Sequence, residues 1–250
     1  MKPASDENEY KCCICKAPIP HPGICDKCVA KQKAEEERAR NKLQTVSTIP
    51  LAFRWAVFSE QVLYARVRDR EAIRKADGVV AKLASGEVSS VVFLGPSGVG
   101  KTSLACAVLQ ASKAYRVGAT ARFQSAIELA SACRATAFGR ESEVSERSKS
   151  ASLLVLDDVG SEPALGADAI REVVHYRSDH GKPTIYTTWQ TSKDLSFRYG
   201  DGTTRRIMEL STQISMVKHQ YPELFTGPPD LKWKREPSLR FLTGFGCLIR

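Results

Sequence analysis

The stretch that decides the fold is Gly95-Pro96-Ser97-Gly98-Val99-Gly100-Lys101-Thr102, followed by Ser103. It matches the pattern G-x-x-x-x-G-K-[ST] in full. The residues before it, Val91 to Leu94, are apolar and begin with two β-branched residues, as in a buried strand, and the run Leu104 to Leu109 behind it favours a helix. Glycines let the backbone turn its N–H groups inward, and the positive end of the helix faces the anion. Strand, loop and helix together predict a cradle for phosphate.

Two side chains of this loop have chemical roles in the pattern. Lys101 would reach the β- and γ-phosphates, and the Thr102 hydroxyl would ligate Mg²⁺. The alternative is a glycine-rich turn that merely joins a strand to a helix, but the complete motif in its proper context favours phosphate binding. We therefore predict that ATP and Mg²⁺ bind to the phosphate loop, which comprises Gly95, Pro96, Ser97, Gly98, Val99, Gly100, Lys101, Thr102 and Ser103.

A second apolar strand, Leu153 to Leu156, ends in the acid pair Asp157-Asp158. Carboxylates that follow a parallel strand lie at the carboxyl edge of the sheet, beside the phosphate loop. We predict that Asp157 holds Mg²⁺ through its water shell and that Asp158 polarises the attacking water. An acid pair after a strand also occurs by chance, but its position downstream of a complete phosphate-loop motif favours the catalytic interpretation.

The cysteines near the amino end follow the spacing C-x₂-C-x₉-C-x₂-C, with Cys12, Cys15, Cys25 and Cys28 as the ligands. Each C-x-x-C forms a tight knuckle, and two knuckles complete a tetrahedral Zn²⁺ site. Cys13 or His21 could replace one ligand. A redox C-x-x-C is the rival interpretation, but one pair would suffice for that chemistry. Four thiolates leave no open position, so the predicted zinc is structural rather than catalytic.

The composition sets limits on the class of protein. A chain of 250 residues that is 42% hydrophobic can hold one sizeable α/β domain with a small appendage. No apolar run approaches the length of a membrane span, and the first residues are polar rather than signal-like, so we expect a cytoplasmic protein without membrane contact. The formal net charge of +9 favours contact with nucleic acid or another polyanion.

Periodicity and turn residues predict further elements along the chain. A capping box is expected at Ser125–Glu128, and the charged, serine-rich stretch from Gly139 to Ser150 is expected to be an exposed loop. The other predictions are helices from Val29 to about Leu43, Gln61 to Leu83, Ser125 to Ala137 and Gly166 to Asp179, and strands at Ala121–Gln124, Lys182–Thr188 and Gln213–Val217.

Two further groups of side chains could act on the γ-phosphate. Thr188 and Gln190, at the tip of the strand from Lys182, could sense the γ-phosphate and orient water, although polar residues are ordinary at strand ends. Arg205 and Arg206 follow a loop at Tyr199–Thr204 and lie on a short helix. One of them could neutralise charge in the transition state of a neighbouring subunit's ATP, whereas adjacent arginines on a surface are commonly just solvated.

Together these motifs resemble the helicase-loader branch of the AAA+ ATPases, the DnaC/DnaI type, and its close relative, the IstB-type transposition helper. The resemblance covers about residues 48–217 and includes Asp157-Asp158-Val159-Gly160 and Arg177 before Pro183-Thr184-Ile185. It departs from the family at Trp189, where the family usually has Asn. The fold that it implies is an α/β P-loop NTPase of the AAA+ type, with a parallel central sheet flanked by helices and preceded by the small zinc module.

The resemblance also implies an organisation and a function. We expect a zinc-binding module with a charged linker helix over residues 1–45, an AAA+ ATPase domain over 46–220, and a tail over 221–250. The implied activity is ATP hydrolysis by a loader that binds single-stranded DNA and a hexameric replicative helicase. Its subunits would associate through ATP-bridged interfaces, with Arg206 or Arg205 supplied in trans. The alternatives are an ATPase that assists a DNA transposase and a zinc-containing nucleic-acid adaptor without turnover.

Overall fold

The computed structural model describes residues 10–112, 120–136 and 140–217. All of them belong to one compact unit. Several sequence-based predictions lie outside these residues: the polar first residues, the end of the helix predicted to reach Ala137, the start at Gly139 of the predicted loop, and the tail over 221–250.

The described residues alternate helices and strands in the order of a doubly wound α/β fold. Two short 3₁₀ helices, Leu51–Phe53 and Ala164–Gly166, accompany the regular elements. The strands are β1 Tyr10–Lys11, β2 Pro18–Ile19, β3 Ser90–Leu94, β4 Ala121–Ser125, β5 Leu153–Asp157, β6 Thr184–Thr188 and β7 Thr212–Ser215. The helices are α1 Asp26–Thr48, α2 Leu63–Arg66, α3 Arg70–Ser85, α4 Lys101–Ala111, α5 Ala126–Ala135, α6 Glu143–Ser150, α7 Ala167–Asp179, α8 Ser192–Tyr199 and α9 Asp201–Met208.

Five strands form one parallel sheet in the order β4-β5-β6-β3-β7, which confirms the predicted fold class. Successive side chains of a strand point to opposite faces of the sheet. Val91 and Phe93 therefore pack with α3 and α4, whereas Val92 packs with α5, α7, α8 and α9. Because both faces are covered, the middle residues of the central strands β3 and β5 are buried and hydrophobic, and polar side chains occur where the strands end.

Three local predictions were wrong. The helix expected from Gln61 to Leu83 is two helices, because Val67 is extended and the Asp69 carboxylate caps α3 by accepting from Ala72 N–H at 2.9 Å. The loop expected up to Ser150 contains helix α6. The loop predicted at Tyr199–Thr204 is helical on both sides of Gly200, which ends α8 and precedes α9.

The capping box predicted at Ser125 is also absent, because the Ser125 side chain makes no capping hydrogen bond. A capping box does form at α8, which the sequence did not predict. There the Thr191 side chain accepts from Asp194 N–H, and the Asp194 carboxylate accepts from Thr191 N–H. Both sites have an acid three residues after the N-cap residue, but the Glu128 carboxylate accepts from Gln124 Nε2 at 3.5 Å instead of closing a box.

Helix α1 connects the amino-terminal cysteines to the central sheet. Cys25 is its N-cap residue, and only Cys28 and Thr45 within it are buried, as expected for a charged linker helix. At the far end the Thr48 hydroxyl accepts a hydrogen bond from Phe123 N–H of β4 at 2.9 Å. The helix passes through the expected domain boundary at residues 45 and 46, and the boundary itself stays a prediction.

Within the described part of the chain, none of the helices combines the length and the apolar character that crossing a membrane requires.

Candidate nucleotide-binding site

The phosphate loop joins β3 to α4 in a conformation that its glycines make possible. Gly95, Gly98 and Gly100 have φ angles of 148°, 81° and 103°, which L-residues rarely adopt. A Cβ atom on Gly95 would collide with the carbonyl oxygen of Met216, and one on Gly100 would lie 3.0 Å from the Val67 side chain. The loop therefore depends on glycine both for its backbone angles and for its close packing.

Lys101 begins α4 and lies at the wall of a cavity of about 600 Å³, which we call the phosphate-loop cavity. The ammonium group donates to the carbonyl oxygens of Gly95 and Pro96, both at 2.8 Å. Burial lowers the pKa of Lys101, and the charges of Asp158 and Asp157 oppose that shift. The residues around the cavity are Gly95, Pro96, Ser97, Lys101, Asp158, Ser161 and Trp189.

The acid pair lies at the carboxyl edge of the sheet, as the sequence predicted. Asp157 ends β5 and is buried, and its carboxylate accepts a hydrogen bond from the Thr187 hydroxyl at 2.7 Å. Asp158 follows with a φ of 53°, and its N–H donates to Thr187 Oγ1 at 2.8 Å. The structure thus brings Lys101, Thr102, Asp157 and Asp158 together.

Burial raises the pKa of Asp157 to about 6. The Asp158 charge adds to this shift, whereas the hydroxyl groups of Thr187 and Thr102 and the charge of Lys101 oppose it. A buried carboxylate next to a hydroxyl group is a donor set that suits Mg²⁺, a hard cation that prefers oxygen ligands. The residues present therefore fit the cation that the phosphate-loop motif implies.

The predicted sensor residues are arranged differently from the acid pair. Thr188 is buried, and its hydroxyl donates to the Val159 carbonyl oxygen at 2.7 Å, so it does not line the phosphate-loop cavity. The Gln190 side chain donates to the Gly160 carbonyl oxygen at 2.8 Å. Trp189, which is half exposed, lines the cavity instead, and its indole N–H donates to Ser161 Oγ at 3.3 Å.

The two arginines of α9 lie far from the phosphate loop of their own chain. Arg206 lines a second cavity with Ser90 and Lys182, at the amino edge of the sheet, and donates to Asp179 Oδ1 at 3.0 Å. The five residues of β3 separate the two edges by about 13 Å. Arg205 is exposed and faces Glu209 across 3.7 Å. Neither arginine therefore lines the phosphate-loop cavity of its own chain.

Comparison with known proteins identifies the family. The family model described as IstB-like ATP binding protein matches residues 60–220, which include the phosphate loop and the acid pair. The chain belongs to this family. Among curated proteins, the chain has no match.

Solved structures resemble this IstB-like protein in fold. The crystal structure of the DnaC helicase loader has a TM-score of 0.51 and 26% identity, over 58% of this chain and 88% of that one. A structure described as a candidate primosome component from Streptococcus pyogenes serotype M3 has a TM-score of 0.54 and 18% identity, over 69% and 93% of the two chains. The DnaI structure has a TM-score of 0.48 and 24% identity, over 58% and 83%. The family match and the likeness to the DnaC helicase loader confirm the expected P-loop AAA+ fold of the IstB-like domain.

The amino-terminal cysteines of this IstB-like protein form a single group within the described residues. The Sγ atoms of Cys12, Cys15, Cys25 and Cys28 all lie within 4.8 Å of one another. Cys25 N–H donates to Cys12 Sγ at 3.3 Å, which orients that sulfur toward the group. A tetrahedral zinc site with Zn–S bonds of about 2.3 Å has sulfurs about 3.8 Å apart, so the donor set fits Zn²⁺. Neither of the predicted substitutes, Cys13 and His21, belongs to the group.

Two buried charged residues of this IstB-like domain escaped the sequence-based site prediction. Glu162 is 2% exposed and accepts from Gly160 N–H, Arg198 Nε and the Tyr199 hydroxyl at 3.1, 2.7 and 2.6 Å. Arg177 is fully buried at the opposite edge of the sheet. Each has hydrogen-bond partners at least 26 residues away in sequence, and a local pattern does not reveal such contacts. Asp158-x-x-x-Glu162 at the end of a strand was the available signal for the first.

Proposed function

We propose that this protein binds and hydrolyses ATP at the phosphate-loop cavity. The observation that carries the proposal is the position of the buried Asp157 carboxylate at the end of β5, next to Asp158, which lines one cavity together with Lys101. Membership in a family of ATP-binding proteins supports it independently. Backbone N–H groups of residues 95–103 would hold the phosphates, since the left-handed glycines turn that segment around an anion.

The residues divide the chemistry among them. Lys101 would exchange its two carbonyl partners for β- and γ-phosphate oxygens. Thr102 and Asp157 would hold Mg²⁺, which when bound neutralises charge on the β- and γ-phosphates. Asp158 would orient and polarise the water whose oxygen bonds to the γ-phosphorus, while the bond from that phosphorus to the bridging oxygen breaks and ADP leaves. Arg206 or Arg205 of a second copy would offset charge on the transferring phosphoryl group.

Replacement of Lys101 tests the ATPase proposal. We expect Lys101→Ala to weaken ATP binding on the order of 100-fold and to abolish phosphate release, because a charged partner of the phosphates is lost. Lys75→Ala, on the exposed face of α3, is the matched control and leaves both unchanged. Binding is measured with a fluorescent ATP analogue and turnover by phosphate release. Unaltered ATP affinity in Lys101→Ala contradicts the proposal, and tight binding without turnover in the wild type favours the adaptor alternative.

The helicase-loader role is our proposal for the biological function. It is supported by the likeness to the DnaC helicase loader over 88% of that chain, and by the net charge of +9, which suits a nucleic-acid partner. ATP bound between subunits would hold several copies on single-stranded DNA, together with a hexameric replicative helicase. Hydrolysis would then release the helicase, because contacts with the γ-phosphate are lost in ADP.

Reconstitution with purified components tests this role. We expect the chain to co-elute with a hexameric replicative helicase and a single-stranded oligonucleotide in ATP but not in ADP, and to hydrolyse ATP faster when single-stranded DNA is added. The Lys101→Ala variant should fail to co-elute. Equal retention of the helicase in ATP, in ADP and with Lys101→Ala would contradict an ATP-dependent loader.

A transposition helper is the second candidate, and the family match itself favours it, since the matching model is the IstB-like one. Such a helper would bind duplex DNA and a DNA transposase instead of a helicase. The same elution experiment separates the two functions when it is repeated with a purified transposase and duplex DNA. Retention of the transposase on duplex DNA, without retention of the helicase, assigns the protein to the second function.

We further propose that Cys12, Cys15, Cys25 and Cys28 hold one structural Zn²⁺. The proximity of their four sulfurs supports this assignment, and so small a module has little core of its own. We expect about one zinc per chain by elemental analysis and loss of that zinc in Cys28→Ser. Cys13→Ser is the matched control, since Cys13 is exposed and lies outside the group. Full zinc content in Cys28→Ser would refute the assignment.

A further inference from the structure

The segment that follows β5 holds its second acid in an unusual backbone conformation. Asp158 has a φ of 53°, in the left-handed region that non-glycine residues avoid unless the surroundings enforce it. Its N–H donates to Thr187 Oγ1 at 2.8 Å, and its carbonyl oxygen accepts from Ser161 N–H at 3.0 Å. The direction of the Asp158 carboxylate therefore depends on a turn whose conformation must be stabilised by contacts with the surrounding residues.

Glu162 stabilises that turn through the hydrogen bonds of its carboxylate. Its side chain is completely buried, and one carboxylate oxygen accepts from Gly160 N–H at 3.1 Å. The other oxygen accepts from Arg198 Nε at 2.7 Å and from the Tyr199 hydroxyl at 2.6 Å. One carboxylate thus joins the turn that carries Asp158 to the last residues of α8.

Gly160 is fixed from its other side as well. Its carbonyl oxygen accepts from Gln190 Nε2 at 2.8 Å, and a Cβ atom at this position would lie 2.5 Å from the Gln190 side chain. With a φ of 98°, Gly160 can be held between Glu162 and Gln190 only because it is glycine. Both backbone hydrogen-bonding groups of Gly160, its N–H and its carbonyl oxygen, are therefore bonded to side chains, and the turn has little freedom to relax.

We propose that Glu162 is a positioning residue for ATP hydrolysis, which holds Asp158 where it can activate water. The inference rests on the proposed ATPase function and deepens it. Glu162 touches neither the phosphate-loop cavity nor its lining lysine, so it acts through the turn at Gly160. Since Arg198 and Tyr199 supply two of its three hydrogen bonds, a displacement of α8 moves Asp158 as well.

Steady-state kinetics of Glu162→Gln in the full chain test the proposal. We expect kcat for ATP hydrolysis to fall about 10- to 100-fold, because a displaced catalytic group loses its alignment with the reacting atoms. The KM for ATP and the affinity for ADP should stay within about twofold, because the phosphate loop is untouched. Glu172→Gln, an exposed acid on α7, is the matched control and leaves kcat unchanged.

Tyr199→Phe keeps the assignment testable if Glu162→Gln fails to fold. It removes one hydroxyl donor to Glu162 and keeps the aromatic ring in the core. We expect a smaller fall in kcat, about threefold to tenfold, again at constant KM. Circular dichroism at the assay temperature monitors the fold of both variants.

Two results separate this assignment from the proposed function. A wild-type chain without any ATP turnover overturns the proposed function and the role of Glu162 together. A wild-type chain that turns over ATP, with folded Glu162→Gln or Tyr199→Phe variants of unchanged kcat, overturns the role of Glu162 alone. A parallel loss of kcat and ADP affinity likewise overturns it, because it indicates a general structural effect.

Discussion

The two edges of the central sheet each contain a buried, positively charged side chain, and the surroundings of the two side chains differ. At the amino edge, Arg177 is fully buried and donates to Thr184 Oγ1 and to the carbonyl oxygens of Ser148, Ala151 and Pro183 at 2.6–2.8 Å. At the carboxyl edge, Lys101 is 5% exposed and lies on the wall of a cavity that also contains Asp158.

The contrast shows that burial of a charge does not by itself indicate chemistry. Every nitrogen of the Arg177 guanidinium has protein partners, and these join the end of α6 to the starts of β5 and β6. Burial lowers the pKa of Arg177 to about 10, so the group keeps its charge at neutral pH. Lys101 instead faces space that a triphosphate could enter. We infer that the amino edge determines stability and the carboxyl edge determines function.

The strongest test of this division is Arg177→Ala. We expect the free energy of unfolding to fall by about 3 to 5 kcal/mol, because several buried carbonyl groups lose their donors at once. Arg171→Ala, on the exposed side of the same helix, should change it by less than about 0.5 kcal/mol. Urea denaturation measures both. Per folded molecule, ATP affinity should be unchanged in Arg177→Ala, and a selective loss of ATP binding would break the comparison.

A second test concerns the carboxyl edge, where we expect replacement of a buried charged residue to raise the stability of the fold instead of lowering it. Burial raises the pKa of Asp157 to about 6 from the model-peptide value of 3.8. Between these two pH values the folded chain retains a proton that the unfolded chain has released, so stability falls as the pH rises from 4 to 6. Above pH 6 the full cost remains, about 3 kcal/mol.

Asp157→Asn should therefore be more stable than the wild type at pH 7.5, by about 1 to 3 kcal/mol, although we expect it to lose the proposed ATP hydrolysis. The difference should disappear near pH 4, where the wild-type carboxyl group is protonated in the folded chain. Urea denaturation at both pH values, with EDTA present, measures the effect in metal-free protein. A variant that is equally or less stable than the wild type at pH 7.5 would show that burial of the charged Asp157 carboxylate does not destabilise the folded chain.

The smallest expected effects distinguish two adjacent threonines of β6. Thr187 donates to Asp157 and accepts from Asp158 N–H, whereas Thr188 donates to the Val159 carbonyl oxygen. We expect Thr187→Val to raise the pKa of Asp157 further and to move the acid limb of the hydrolysis profile to higher pH. Thr188→Val should cost about 1 kcal/mol of stability and leave that profile unchanged.

The sequence-based prediction of Thr188 as a sensor makes the opposite forecast for this pair. It requires Thr188→Val to reduce hydrolysis at least as strongly as Thr187→Val. Rates of phosphate release between pH 5 and 8 decide between the two forecasts, and the wild-type chain provides the reference for both variants.

Local sequence patterns pointed to the candidate site where its residues are adjacent in the chain. The phosphate loop, the acid pair and the four cysteines each lie within a short segment, so spacing alone identified them. Strands β3 and β5 were found for a similar reason, since buried parallel strands are largely continuous apolar runs.

The predictions failed where long-range contacts decide the structure. Helix α6 has a polar sequence with Val144 as its one large apolar residue, and its last turn is held by Arg177, which donates to the Ser148 carbonyl oxygen. The break between α2 and α3 likewise depends on Val67, which packs against Gly100 of the phosphate loop. Such contacts follow from the folded topology, and a single sequence contains no local signal of them.

The length of α1 has a mechanical consequence. A helix of 23 residues is about 34 Å long, and its base is joined to the sheet through Thr48 while the cysteine group sits at its tip. A tilt of the helix by about 10° around its Thr48 end would displace its Asp26 end by about 6 Å. A rotation of the sheet edge that carried the helix with it would therefore move the cysteine group by several ångströms.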